Sequence, residues 1–140
     1  MFVLDTNVLS AMMQAEPAPR VAAWIAGCEV EQLFTVSVCQ AEILAGLAIM
    51  PRGRRRDLLG AAAEAMFSED FAGRVLPFDS AAATAYAEIF AQRRATGRAT
   101  ATMDLMIASV ARAHGASVVT RDRGGFEDCG VILVDPWTVS

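Results

Sequence analysis

The sequence predicts an α/β fold of three layers, in which a mostly parallel central sheet of about five strands lies between two layers of helices. Short apolar runs rich in valine and isoleucine, typical of buried strands, recur along the chain. Longer alanine-rich stretches with helical spacing separate these runs, and such alternation is typical of βαβ units. No internal repeat, low-complexity tract or linker interrupts the 140 residues, so a single domain, 1–140, is expected.

Five apolar segments are predicted as strands, and all of them are short. They are Phe2–Leu4, Leu33–Val36, Arg74–Leu76, Ser117–Thr120 and Val131–Val134. In a parallel sheet the carboxyl ends of the strands share one edge, and ligands and chemistry collect there. Polar residues that follow a strand are therefore the first candidates for a functional site.

Six segments with helical spacing are predicted as helices: Val8–Gln14, Val21–Gly27, Val38–Met50, Arg54–Phe67, Ala81–Thr96 and Met103–His114. Thr6 and Asn7 are expected to open the first of them directly after Asp5. Pro17 and Pro19 separate the first two, because proline is poorly tolerated inside a helix. Ser37 and Thr102 are expected to cap two of the helices at their N-termini. Gly115 is expected to end the last helix in a left-handed conformation.

Composition places the chain among folded proteins with a core. Hydrophobic residues make up 54% of the sequence and charged residues 20%, which is too apolar for a disordered chain. No apolar stretch approaches the ~20 residues that span a bilayer, and the N-terminus lacks the basic segment of a signal peptide. The three cysteines are widely separated and give no sign of a disulfide framework or a zinc knuckle. A cytoplasmic protein without membrane contact is expected.

The basic residues are all arginine, and the formal net charge is −4. An acidic balance argues weakly against nonspecific binding of nucleic acid, which depends on neutralised phosphates. Two arginine clusters nevertheless stand out, one of Arg52, Arg54, Arg55 and Arg56 and the other of Arg93, Arg94 and Arg98. Each is either a solvated helix end or loop or a surface that attracts phosphate, and charge patterning alone favours the solvated alternative.

Four acidic residues are candidates for one site. Asp5 ends the first predicted strand, and Asp122 follows the fourth. Glu42 and Asp104 lie in the first turns of predicted helices that follow the sheet's carboxyl edge. All of them are therefore expected at the same edge. Taken singly, Asp104 also suits the positive end of a helix dipole, and Asp122 also suits a turn.

Carboxylates packed together repel one another: at ~4 Å and an effective dielectric constant of ~20, each pair costs about 4 kcal/mol. Either the acids are separated, or some are protonated, or a cation lies among them. Oxygen ligands without histidine or thiolate suit Mg²⁺ or Mn²⁺. Such a cation assists hydrolysis of phosphodiesters, so the pattern indicates that chemistry if the acids meet.

Several motifs together resemble the PIN-domain ribonucleases, and within them the VapC-type toxins of bacterial toxin–antitoxin pairs, particularly the FitB-like ones. The segments span nearly the whole chain: LDTNVLS at 4–10, AEILAGLA at 41–48, GRVLPFD at 73–79, DLMIASVARAHG at 104–115, VVTRDRGGF at 118–126 and DPW at 135–137. The first is fairly specific, and the others gain weight from their order and spacing. The resemblance implies that residues 1–140 form one PIN domain.

The resemblance also implies which residues act. The implied catalytic and metal-binding residues, which would hold Mg²⁺ or its substitute Mn²⁺, are Asp5, Glu42, Asp104 and Asp122. Thr120 matches a polar position beside them. Many relatives carry a further acid directly before the phenylalanine of the VVTRDRGGF motif, where this chain has Gly125. This departure leaves open whether one or two cations bind.

Family membership would imply an activity and partners as well. The activity is in-line hydrolysis of RNA that leaves a 5′-phosphate and a 3′-hydroxyl, with arginines positioning the RNA backbone. The partner is a cognate antitoxin, a small DNA-binding protein of ribbon-helix-helix or AbrB-like type whose tail occludes the acidic cleft. The implied assembly is a homodimer, which forms a heterotetramer or larger complex with the antitoxin.

Other enzyme classes with acids at strand ends lack essential residues here. A receiver-type phosphoacceptor needs a lysine, and the chain has none; a haloacid-dehalogenase phosphatase needs a second aspartate where Asn7 stands. No G-x-G-x-x-G motif or P-loop is present to hold a nucleotide phosphate. The alternative from another class is a noncatalytic PIN-like module that binds an antitoxin or RNA without cleaving it.

Overall fold

The structure is a computed structural model that describes residues 1–99 and 101–138. Its strands are β1 (Phe2–Leu4), β2 (Leu33–Val36), β3 (Val75–Leu76), β4 (Ser117–Val119) and β5 (Leu133–Val134). They form a five-stranded sheet in the order β3-β2-β1-β4-β5, and every pair is parallel. The α/β fold with a central sheet of five strands is confirmed, although β5 is two residues shorter than predicted.

Pairs of helices separate the first four strands, and their bounds are close to the predicted segments. They are α1 (Thr6–Met12), α2 (Pro19–Ala26), α3 (Ser37–Ala48), α4 (Arg54–Ala65), α5 (Ser80–Ala95) and α6 (Thr102–Ala113). A 3-10 turn at Val30–Gln32 precedes β2, and a π-helical turn at Met66–Asp70 extends α4. Of these helices in the described part of the chain, none is long and apolar enough to cross a membrane.

Both faces of the sheet are covered. Successive residues of a strand point to opposite faces, and the neighbours Val3 and Leu4 of β1 are both fully buried. Val118 and Val119 of β4 are fully buried in the same way. Continuous apolar strands with helices on both sides are typical of parallel sheets. The core therefore lies on the two faces of the sheet and leaves its carboxyl edge for polar residues.

Two helices begin two residues before the apolar segments predicted for them. Helix α1 begins at Thr6, as expected, and the carboxylate of Asp5 caps it by accepting a hydrogen bond from the Thr6 N–H at 2.8 Å. Pro19 was expected outside the second helix but is its first residue. That position suits proline, since the first N–H groups of a helix have no partner within it.

The expected caps of α3 and α6 are wrong. Ser37 and Thr102 are the first helical residues, while Val36 and Ala101 occupy the cap positions without a side-chain hydrogen bond. Asp104 is consequently the third residue of α6 rather than the second. Gly115, as predicted, adopts a left-handed conformation after α6, with φ of 65°.

The strand order places a topological switch point between β1 and β4. From β1 the chain proceeds outward to β2 and β3, and then returns to add β4 and β5 on the other side of β1. Crevices outside the carboxyl ends of strands at such a reversal are the usual ligand sites of open α/β sheets. Asp5 follows β1 and Asp122 follows β4, so both candidate acids lie at the switch point.

Candidate active site

Asp5 lies at the carboxyl end of β1 and is only 5% exposed. Its Oδ1 accepts the Thr6 N–H at 2.8 Å, and its Oδ2 accepts the hydroxyl of Thr120 at 2.8 Å. The side-chain amide of Asn7 is a more distant donor to Oδ2, at 3.4 Å. Donors on both oxygens fix the orientation of this carboxylate before any ligand arrives.

Burial has a further effect on Asp5. Loss of solvent raises the pKa of its carboxyl, and the hydrogen bonds from Thr120 and Thr6 oppose that shift without cancelling it. The charges of Glu42 and Asp122 also raise the pKa of Asp5. Ionisation of Asp5 is therefore less favourable than that of a solvent-exposed aspartate, and a nearby positive charge would stabilise its anionic form.

Glu42 approaches Asp5 from the first half of α3. The hydroxyl of Thr6 donates a hydrogen bond of 2.8 Å to Oε1 of Glu42, which ties α3 to the first residue of α1. One ligand atom each from Asp5, Glu42 and Cys39 lie within 4.8 Å of one another. Glu42 is half-buried, so its carboxylate faces both Asp5 and solvent.

Cys39 lies one helical turn before Glu42, and its Sγ is 4.0 Å from Oδ1 of Asp5. Burial, together with the charges of Asp5 and Glu42, raises the pKa of the Cys39 thiol to about 12. The group is therefore a neutral thiol near pH 7 and a weak donor to Asp5. Its position was not predicted, although residues three apart on a helix share a face, so the spacing of Cys39 and Glu42 was a usable signal.

Asp104, the third residue of α6, reaches the same edge of the sheet. Burial first, and then the charges of Asp5, Asp122 and Glu42, raise the pKa of its carboxyl to about 6. The charge of Arg93 acts in the opposite direction. Each of the other three acids therefore lies close enough to Asp104 for its charge to raise the pKa of that carboxyl.

Asp122 and Gly125 belong to the loop after β4. The Gly125 N–H donates to Oδ1 of Asp122 at 3.2 Å, and the Asp122 N–H donates to the hydroxyl of Thr120 at 3.0 Å. A Cβ atom at Gly125 would lie 2.6 Å from Oδ2 of Asp104 and 2.9 Å from Oδ2 of Asp122. Glycine therefore lets the carboxylates of Asp104 and Asp122 approach each other across the loop.

The chain matches a known protein family. The PIN domain family model matches residues 2–131, which is most of the chain. The chain belongs to the PIN domain family.

Individual PIN relatives match over nearly the full length of the chain. The sequence is 42% identical to "VapC ribonuclease Y4jK" of Sinorhizobium fredii, over 98% of either chain. It is 35% identical to "Toxin FitB" of Neisseria gonorrhoeae, over 98% of this chain and 99% of that protein. The crystal structure of FitAcB from N. gonorrhoeae superposes with a TM-score of 0.91 at 34% identity, covering 99% of this chain and 100% of the other.

The carboxyl edge of the sheet carries the four candidate acids, Asp5, Glu42, Asp104 and Asp122, and is called the acidic edge below. Its chemistry suits a hard divalent cation. Its candidate ligands are carboxylate oxygens, and the one sulfur among them belongs to a thiol whose raised pKa keeps it protonated. Carboxylates that raise one another's pKa are stabilised when a cation binds between them. The donor set and its electrostatics therefore fit Mg²⁺ or Mn²⁺.

One arginine of the PIN domain is not where the sequence placed it. Arg93 belongs to a cluster expected at the surface, but it is only 4% exposed. Its guanidinium donates to the backbone carbonyl of Glu127, to that of Ala99 at 3.2 Å and to Sγ of Cys129 at 3.6 Å. The prediction failed because a long side chain in a charged run can turn inward where carbonyl oxygens accept its N–H groups.

Proposed function

We propose that this chain is the toxin of a type II toxin–antitoxin pair and a divalent-metal-dependent ribonuclease, built as a single domain. The observation that carries the proposal lies at the switch point of the sheet, where ligand atoms of Asp5 and Glu42 lie within 4.8 Å of each other and the carboxylates of Asp104 and Asp122 both approach Gly125. The names of two full-length relatives, a VapC ribonuclease and a toxin, support the same activity.

The proposed ligands of Mg²⁺, or of Mn²⁺ as its substitute, are these four carboxylates. When bound, the cation supplies a more acidic water and charge stabilisation at the attacked phosphate. The residues of the chain orient the ligands: Thr120 holds Oδ2 of Asp5, and Thr6 holds Oε1 of Glu42. Second-layer donors of this kind are expected to set the geometry that a hard cation requires.

The proposed partners follow from the same charges. An RNA phosphate would be drawn to the acidic edge only with a cation present, since carboxylates alone repel it. A proteinaceous antitoxin could occupy the edge without a metal, because a guanidinium forms strong paired hydrogen bonds with carboxylates. A DNA-binding antitoxin that inserts an arginine is therefore the proposed inhibitor, and a homodimer of this chain is the proposed active form.

The test is cleavage of RNA by the purified protein with Mg²⁺ or Mn²⁺ and with a chelator. Wild type is expected to cleave only with the cation. Asp5→Asn keeps the size and the capping oxygen of Asp5 but loses its charge, and is expected to be inactive. Asp57→Asn, at an exposed position of α4, is the matched control and should cleave like wild type. Equal cleavage by wild type and Asp5→Asn would contradict the proposal and favour a noncatalytic binding module.

A further inference from the structure

A cavity of about 490 Å³ opens between the C-terminal half of α5 and the start of α6. Residues from both helices and from the segment between them line it. Two of them, Thr102 and Leu105, lie on either side of Asp104 in the sequence of α6. The cavity therefore lies against the helical turn that carries Asp104, and none of the four carboxylates lines it.

One wall of the cavity is aromatic. The rings of Tyr86 and Phe90 lie one helical turn apart on α5, with centroids 6.2 Å apart and an angle of 11° between their planes. Tyr86 also contacts Phe78 edge to face. Phe90 is 46% exposed, which leaves part of its ring available to a ligand. An exposed ring backed by a second ring is a suitable platform for stacking a nucleobase.

The other wall is cationic. The lining includes Arg93, Arg94 and Arg98 and no acidic residue. Arg98 is paired with Glu127 at 3.3 Å and Asp128 at 3.0 Å. The side chain of Arg94 is exposed, and no carboxylate of the described residues lies within ion-pair distance of it. Because Arg93 is buried against backbone carbonyls and Arg98 is paired, the exposed guanidinium of Arg94 is the group on this wall that suits a phosphate.

We propose that this cavity binds a nucleotide of single-stranded RNA next to the phosphate at the acidic edge, with the base stacked on Phe90 and a phosphate on Arg94. The inference rests on the proposed ribonuclease function and adds a subsite to it. Single-stranded nucleic acids are held by this combination of aromatic and cationic groups.

The second arginine cluster is less suited to the same ligand. The cavity beside Arg54 and Arg55 is lined by Met13, Leu58 and Leu59, without an aromatic ring. Aliphatic side chains offer a base no π-face for stacking. The structure thus distinguishes two clusters that looked alike in the sequence, and Arg55 provides a matched control for Arg94.

The experiment measures the affinity of a fluorescent single-stranded RNA by anisotropy, in the Asp5→Asn background and over a range of salt concentrations. Phe90→Leu keeps an apolar side chain but removes the ring, and we expect the Kd to rise by roughly fivefold or more. Arg94→Gln is expected to weaken binding and to reduce the slope of log Kd against log salt by about 0.7, the value for one phosphate contact on a single strand. Arg55→Gln should leave both the Kd and the slope unchanged.

Several results would overturn the subsite. If Arg55→Gln weakened RNA binding as much as Arg94→Gln does, the RNA would be assigned to the arginine cluster that contains Arg55. Unchanged affinity in Phe90→Leu, together with a smaller particle in light scattering, would assign the cavity to a second copy of this chain. Cleavage assays on proteins that retain Asp5 distinguish the nucleotide subsite from the ribonuclease function. If wild type cleaves RNA and neither Phe90→Leu nor Arg94→Gln changes the KM, the subsite alone is rejected. If both substitutions weaken RNA binding but wild type does not cleave, the ribonuclease activity alone is rejected.

Discussion

The hydroxyl of Thr120 donates a hydrogen bond of 2.8 Å to Oδ2 of Asp5, across 115 residues of sequence. The same oxygen of Thr120 accepts the Asp122 N–H at 3.0 Å and the Asn7 amide at 3.2 Å. A single buried hydroxyl therefore connects the ends of β1 and β4 and aligns two of the four acids. This connection yields the first prediction.

Thr120→Val preserves the shape of the side chain and removes the hydroxyl. We expect the affinity for Mn²⁺ to fall by about 10–100-fold, because groups that orient ligands commonly contribute that much. Isothermal titration calorimetry measures the affinity directly. Thr84→Val, at an exposed position of α5, is the control and should bind Mn²⁺ like wild type. Normal binding by Thr120→Val would show that Asp5 needs no such support.

The pH dependence of stability follows from Asp104. Its pKa rises from the usual 3.8 to about 6 in the folded protein, so between those values the folded state binds more protons than the unfolded state. Stability of the metal-free protein is therefore expected to fall as the pH rises from about 4 to 6, and to stay lower above that range. A thermal melt in chelator at a series of pH values measures this trend.

Two comparisons isolate Asp104 as a cause. Asp104→Asn should flatten the pH dependence and raise the melting temperature of the metal-free protein near pH 7, because it removes one of the repelling charges. Mg²⁺ should raise the melting temperature of wild type at pH 7 more than at pH 5, where protons compete with the cation. An increase in the melting temperature of the metal-free protein between pH 4 and 6 would contradict this explanation.

Gly125→Ala tests the close approach of Asp104 and Asp122. The added methyl group would lie 2.6 Å from Oδ2 of Asp104, so at least one carboxylate must move. We expect metal affinity to fall by about tenfold, comparable to the loss of an orienting group. Gly124→Ala is the matched control, since its Cβ would lie 3.8 Å from Oδ1 of Asp122 in ordinary contact. Equal Mn²⁺ affinities for the two variants would dismiss Gly125 as a determinant of the site.

Much of this architecture was predictable from the sequence because its signals are local. Each apolar run of β1 to β4 is followed by polar residues or a helix, and that order alone places Asp5 and Asp122 at one edge. Glu42 and Asp104 were predicted at the same edge because each lies in the first turns of a predicted helix. Whether these acids bind a metal and catalyse a reaction stays a prediction.

Other features depended on contacts between distant segments and could not be predicted from local patterns. The burial of Arg93 depends on carbonyl oxygens of Ala99 and Glu127, which only the folded loops bring together. The contact of Cys39 with Asp5 likewise needs β1 and α3 side by side.

The wide spacing of Asp5 and Asp122 along the chain has a consequence for biosynthesis. Asp5 is translated 115 residues before its partner Thr120, and the neighbouring Asp122 follows Thr120. A nascent or prematurely terminated chain that stops before β4 lacks the full set of acids, however well its first strands have folded. Assembly of this edge therefore requires translation to continue past β4.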